Sequence, residues 1–448
     1  MKIKIAALMI ILLGAISAGA RTKYQEAVLT QMSHADSIPD ASINVHNVGK
    51  MALTITNYGE IGLPSDIPVP DPMTGEPAPS LSFPKGYGLN YLYDGGYWVG
   101  AIVGRDTLVS TGTGADYGVH EFWPRALIDS GAIVYRSTNN PDAPEYDSAI
   151  SQQDFIANFA DTLTDSKYTG YDPYSRRFHR PMNVKIWQKS YAWGYDYAED
   201  FVIFDCVLLN LGPYELKNVY IGIYMDYDIG KQYRYVGGDD ICGFIRTVPS
   251  RYIPGLIDTI NVAWAADNDG DPDPISGQYA GYFSPTSAVG VRLLRTPSDR
   301  LKFNFNWWAS DYRAEQDWGP RRTGTADDPF RSFSGYMGTP VGDMNKYYMM
   351  AREEFDYNQS ETYIDHTVDG WLPPPDNAYG ISNGADIKTL VSFGPFNLKR
   401  GEVAPFTYAV LAGQDFHNSK NIYPFLDLGL NALWSEWIFD NPGVDTDG

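Results

Sequence analysis

The sequence predicts an all-β, mainly antiparallel fold: a large β-sandwich or supersandwich with long loops and one C-terminal helix. Three observations predict it. The 448 residues include 43 Gly, 30 Pro and 33 Tyr, a composition suited to many short strands joined by turns. Amphipathic helical spacing is nearly absent before residue 418. One stretch, Trp187 to Gly230, carries three successive strand patterns.

In that stretch Trp187, Lys189, Tyr191, Trp193, Tyr195 and Tyr197 occupy odd positions, which puts five aromatic rings on one face of a strand. Phe201 to Leu209 is apolar at nearly every position, as a strand buried on both faces would be. Gly212-Pro213 marks a turn. Val219, Ile221, Ile223 and Met225 then alternate with Tyr220, Tyr224, Asp226 and Asp228. Short links between the three predict an antiparallel meander at the centre of the sheet.

The other elements follow in chain order. Lys2 and Lys4, the apolar run from Ile5 to Leu13 and Ala18-Gly19-Ala20 read as a secretory signal peptide over residues 1–20. Residues 21–50 are polar and expected to be loosely ordered. A β-sandwich region, as one sandwich or two packed together, is expected over 51–417. It opens with a strand in Met51 to Gly62. A Pro-rich loop covers residues 64–84, and a hairpin over 87–110 has Asp94-Gly95-Gly96 as its turn. Strands are expected at Asn261 to Ala265, Val289 to Leu294 and Phe303 to Trp308. Thr389 to Phe396 and Val403 to Gly413 make a closing pair. A helix is expected over 418–440, where Leu426, Leu430, Leu433, Trp434 and Trp437 recur at helical spacing. Residues 441–448 begin an acidic tail or linker.

Charge narrows the function classes. Without Lys2 and Lys4 the formal charge goes from −21 to −23, which disfavours nucleic acid and suits an exported protein that meets divalent cations. No later stretch is apolar enough for a membrane helix, so the mature chain is expected to be secreted, extracellular or at the cell surface. Cys206 and Cys242 lie in apolar strand-like runs. A structural disulfide and two buried free thiols both fit them.

The segments ITNYGEIG (55–62), YLYDGGYWVGA (91–101), NVYIGIYMDYDIG (218–230) and SFGPFNLKRGEVAPFTYAVLAG (392–413) together resemble secreted β-rich bacterial proteins of the modular, sorting-signal-exported type. The resemblance implies export and a β-rich module that acidic repeats or fibronectin-like modules often follow. It carries no catalytic signature.

Candidate chemistry rests on carboxylates and aromatics. Asp267, Asp269, Asp271 and Asp273, spaced every second residue with Gly270 and Asn268 among them, suit a hard cation; Ca2+ is the expected cofactor. Asp226 and Asp228, with Asp239 and Asp240 after a short loop, form a second acidic cluster that Lys231 and Arg234 also suffice to offset. Asp205 interrupts an apolar strand and so needs a partner, a proton or a ligand. With Glu199, Asp200 or Asp226 it is a candidate acid/base pair for glycoside cleavage. Trp187, Tyr191, Trp193, Tyr195 and Tyr197 are candidate sugar-stacking rings, although such a face more often packs in a core. The six histidines show no zinc spacing, and no G-x-S-x-G or P-loop occurs. The leading expectation is a calcium-stabilised structural or adhesive module. The alternative is a carbohydrate-active protein, either a glycan-binding module or a hydrolase or lyase. Expected partners are extracellular glycans or other surface proteins.

Overall fold

The computed structural model describes residues 41–63, 69–113, 120–124, 131–172, 175–232, 237–250, 252–271, 283–310, 317–322, 340–417 and 423–441. Within them the chain forms two nine-stranded antiparallel sheets stacked as a β-sandwich. The first sheet runs in the order Ile43–His46, Ala52–Thr56, Glu60–Gly62, Asp94–Val103, Leu216–Tyr227, Ile387–Leu398 and Lys302–Ala309. Leu81–Ser82 and Asp106–Thr111 pair beside it. The second runs Asp240–Pro249, Ile257–Asp267, Ala288–Arg295, Val403–Gly413, Phe201–Asn210, Val184–Ala192, Gln153–Ala160 and Trp123–Pro124. Val134–Arg136 joins it through Gln153–Ala160.

Alternation along each strand decides what enters the space between the sheets. Val219, Ile221, Ile223 and Met225 meet Val202, Phe204, Cys206 and Leu208 there. Among the polar groups inside, several are hydrogen-bonded to one another, which lowers the cost of burying them. Tyr97 Oη lies 2.7 Å from both Tyr408 Oη and Gln188 Oε1, linking the sheets across the core. His46 Nε2 and Ser190 Oγ are 2.7 Å apart.

Both outer faces are also apolar in part, and helices cover them. Helix α1 (Asp343–Ala351) lays Met349 and Met350 against Trp98, Tyr220, Tyr224 and Leu390 of the first sheet. Helix α2 (Ala378–Asn383) is a short turn near the sheet ends. Helix α3 (Leu426–Asp440) seats Leu428 and Ala432 on Phe201, Ile203, Val262 and Leu411 of the second sheet. It falls within the stretch expected to be helical; residues 418–422 lie outside the described ones.

The expected meander is corrected. Val184–Ala192 and Phe201–Asn210 pair, but Leu216–Tyr227 belongs to the opposite sheet. The closing pair is corrected in the same way, because Ile387–Leu398 lies in the first sheet and Val403–Gly413 in the second. The two crossovers meet at one buried residue. Asn210 Nδ2 donates to the carbonyls of Tyr214 and Leu398, at 2.8 and 2.9 Å. Its own backbone exchanges bonds with Gly401 and Glu402. Asp94-Gly95-Gly96 is not a turn but the start of the strand Asp94–Val103, whose hairpin turns at Gly104-Arg105 instead. A Cβ on Gly95 would stand 2.6 Å from Met225 Sδ, so the glycine permits close packing rather than a bend. Order also begins earlier than residue 51, with the strand Ile43–His46.

The disulfide alternative is corrected too. Cys206 and Cys242 are free and buried, on strands of one sheet separated by three others. Four strand spacings place them about 19 Å apart, far beyond disulfide reach.

Candidate metal centre and the charged clusters around it

The strands Asp240–Pro249 and Ile257–Asp267 pair so that Asp240 stands opposite Asp267. One acidic residue opens the first strand and the other closes the second, which brings the two acidic segments of the sequence to one place. One carboxylate oxygen from each of Asp239, Asp240 and Asp267 lies within 4.8 Å of the others. Asp240 and Asp267 are fully buried, and Asp228 is nearly so. Asp240 Oδ2 accepts the Ile229 N–H at 3.1 Å. Burial, with Asp228, Asp267 and Asp239 nearby, holds the Asp240 carboxyl well above the usual carboxylate range.

Asp267 Oδ1 accepts the backbone N–H groups of Asp269, at 3.1 Å, and of Gly270. Asp269 and Asp271 are exposed and outside the buried group, and Asp273 lies outside the described residues. Lys231 sits 4.7 Å over the Phe283 ring, and Arg234 falls outside the described residues.

Asp226 is not part of this group. It lies on the outer face of the first sheet, 3.2 Å from Lys388 Nζ, which also binds Asp386. Tyr224 Oη donates to Asp226 at 3.3 Å, and Asp94 is its opposite neighbour in the sheet. Burial raises Asp94 to about 6 and Asp226 well above its ordinary value, although Lys388 opposes both shifts. Beside them Trp98, Tyr224 and Trp308 form a buried stack, with Trp98 and Tyr224 centroids 5.2 Å apart.

Two of the glycosidase pairings, Asp205 with Asp226 and Asp205 with Glu199, are corrected. Asp205 faces outward from the second sheet, on the opposite outer face from Asp226. Arg295 Nη2 binds it at 2.5 Å and Thr407 Oγ1 donates at 3.0 Å. That pair is partly exposed, so it contributes at most about 1 kcal/mol. Glu199 precedes the same strand and binds Lys50 at 2.7 Å. The strand between Phe201 and Asp205 already spans about 13 Å, too far for a shared glycosidic oxygen.

The aromatic row divides in a similar way. Only Trp187 and Tyr191 lie on the strand; Trp193, Tyr195 and Tyr197 occupy the turn after Ala192. Tyr195 and Tyr197 stack at 5.6 Å, and Tyr197 contacts Trp434 of α3 at 5.2 Å. Trp187 packs apart from them, against Leu209 and Leu211 with Lys185 Nζ 5.1 Å over its ring.

A further charged cluster was not anticipated from the sequence. His179 Nδ1 is 3.0 Å from Glu121 Oε1, and its Nε2 is 2.9 Å from the Asp161 carbonyl oxygen. Asp161 in turn accepts Ser110 Oγ and the Met182 and Val184 N–H groups. Burial works against charge on His179, but Glu121 and Asp161 outweigh it and lift the imidazole from 6.5 to about 9. A raised folded-state value means this contribution is complete below 6.5 and is lost as pH rises through about 9. Denaturant unfolding from pH 7 to 10 should show the wild type losing about 1–3 kcal/mol more than His179→Gln. Parallel curves for the two proteins would contradict it. Lone histidines and glutamates far apart in sequence carry no spacing signal, which is why this cluster was not visible there.

No protein-family model and no curated protein matches the chain. Among solved structures it is similar to a putative aldose 1-epimerase from Escherichia coli K12, at 10% identity, covering 84% of this chain and 100% of that one, with a TM-score of 0.25. A GalM/aldose epimerase homologue from C. elegans matches at 8% identity over 84% of this chain and 99% of that one, with a TM-score of 0.27. Lysyl oxidase from Pichia pastoris matches at 10% identity over 74% and 48%, with a TM-score of 0.21. At TM-scores this low no residue role transfers from any of them.

Proposed function

We propose that the chain is a secreted, calcium-stabilised β-sandwich module with a structural or adhesive role at the cell surface or in the extracellular matrix. One observation carries this reading. Three of the four carboxylates named for acid/base work are each engaged by a basic side chain, Asp205 by Arg295, Glu199 by Lys50 and Asp226 by Lys388, while the fourth, Asp200, accepts Asn431 Nδ2 at 3.2 Å. An acid/base pair needs both carboxyls at one place, and these three do not share a site. Covered outer faces fit a module whose surfaces serve packing. No helix among the described residues is long and apolar enough to cross a membrane.

The carbohydrate-active reading keeps one specific point in its favour. Trp187, Trp193, Tyr195 and Tyr197 retain part of their surface in solvent, and partly exposed rings can stack on sugars. Thermal melts with calcium, with chelator and against a polysaccharide panel separate the two. The structural reading expects a rise with calcium, because a ligand that binds only the folded state stabilises it by mass action. It expects no rise with any glycan. A glycan-dependent rise, or release of reducing sugar that Asp205→Asn abolishes, would overturn it.

A further inference from the structure

We propose that a single calcium ion binds where the paired strands Asp240–Pro249 and Ile257–Asp267 end, held by Asp239, Asp240 and Asp267 together. The inference rests on the calcium-stabilised reading and deepens it: that reading needs calcium to bind, whereas this one states where and how many ions.

The two acidic segments are separate in sequence, and each alone resembles an incomplete site. Strand pairing merges them, because Asp240 and Asp267 are opposite neighbours and Asp239 precedes the first. Three carboxylate oxygens within 4.8 Å of one another match an ion whose oxygen ligands stand about 2.3–2.6 Å away. The donors are all oxygen, with neither sulfur nor imidazole in the group, which suits a hard cation.

A second observation points to a ligand independently of the clustering. Asp240 is fully buried, and its Oδ1 has no hydrogen-bond partner among the described residues. An uncompensated buried carboxylate oxygen is costly, and Asp228, Asp267 and Asp239 beside Asp240 add like-charge repulsion. Beside Asp267, Asn268 Oδ1 is also buried without a partner among the described residues, while its Nδ2 donates to the Asn383 carbonyl at 2.7 Å. It is a neutral oxygen of the kind that completes calcium shells.

The surrounding backbone is already fixed, which favours binding without rearrangement. The Asp240 carbonyl accepts Ala385 N–H at 2.9 Å and Gln359 Nε2 at 3.0 Å. The Asp267 carbonyl is 2.7 Å from His417 Nε2. Through the Ile229 N–H on Asp240, the ion would tie the edge of the second sheet to the chain leaving the first.

The test is calorimetric titration of the full chain with calcium and with magnesium. Wild type is compared with Asp240→Asn and with the double variant Asp269→Asn/Asp271→Asn. The expected result is one calcium per chain, tighter than magnesium, weakened at least about tenfold by Asp240→Asn and less than about twofold by the double variant. Terbium luminescence sensitised by nearby tyrosine, and its displacement by calcium, gives the stoichiometry on wild type alone should Asp240→Asn fail to fold. Two ions per chain, or loss in the double variant while Asp240→Asn binds normally, would overturn the single centre and leave calcium stabilisation standing. Absence of binding by wild type well above the about 1 mM range of extracellular modules would overturn both.

Discussion

Replacing Phe204 by alanine should cost about 3–5 kcal/mol of unfolding free energy. Phe204 is fully buried in the strand Phe201–Asn210 and faces Tyr408 on the neighbouring strand, with ring centroids 4.8 Å apart and planes 2° from parallel. Tyr408 also carries the hydroxyl contact to Tyr97 in the opposite sheet. Truncating Phe204 therefore removes apolar burial and leaves a void beside the link between the sheets. The walls belong to paired strands, so they have little freedom to collapse into it. Phe204→Leu retains much of the volume and should cost clearly less. Equilibrium denaturation of both variants checks this. A loss under about 1 kcal/mol for the alanine variant would mean that the ring is not held in a packed core.

How much of this was legible in the sequence depends on whether the signal was local. Strand periodicity was legible. Val219, Ile221, Ile223 and Met225 read as one face and lie in the core, while Tyr220 and Tyr224 read as the other and lie under α1. Partnership between strands was not. The links after Asn210 and after Leu398 are short and turn-like, and a hairpin looks the same as a crossing between stacked sheets until the partners are known. Phe201 to Leu209 gave no help, because α3 buries its outer face and removes the alternation that would have marked a surface.

The candidate sites show the same limit. Asp205 was legible as a carboxylate in need of a partner, but Arg295 lies 90 residues away and only strand pairing brings it near. Asp267 and Asp240 were each legible as members of acidic segments. The spacing suggested four ligands along one loop; among the described residues, register brings Asp267 of that loop beside Asp239 and Asp240. Alternation put Asp226 and Asp228 on one face, yet the strand ends at Tyr227. The two then part, Asp226 toward Lys388 and Asp228 toward Gly237, where a Cβ would stand 2.0 Å from its Oδ1.

That separation leads to the second large effect, which concerns Lys388. Lys388→Met should cost about 3–5 kcal/mol near neutral pH, because it leaves buried carboxylates without their counter-charge. Lys388 Nζ binds Asp386, lies 3.2 Å from Asp226 and donates to the Ser310 carbonyl at 3.1 Å. All three charged groups are largely buried, so solvent cannot take its place. The sign of the pH dependence follows from the carboxyls that remain. Asp226 already titrates well above its ordinary 3.8 because of burial, and Lys388 is the basic group that opposes this. A carboxyl raised in the folded state is least costly below 3.8 and destabilises increasingly as pH rises toward its folded-state value. Without the lysine that value climbs further and the window widens. Denaturation at about pH 5 and about pH 8 should therefore show a smaller penalty for Lys388→Met in acid, where the carboxyls bind protons instead of the ammonium. Adding Asp386→Asn to the variant should recover part of the loss by removing one uncompensated charge. A penalty identical at both pH values would show that methionine disturbs packing rather than charge. The ion-pair account of Asp226 would then fail, and with it one of the three engaged carboxylates on which the non-catalytic reading rests.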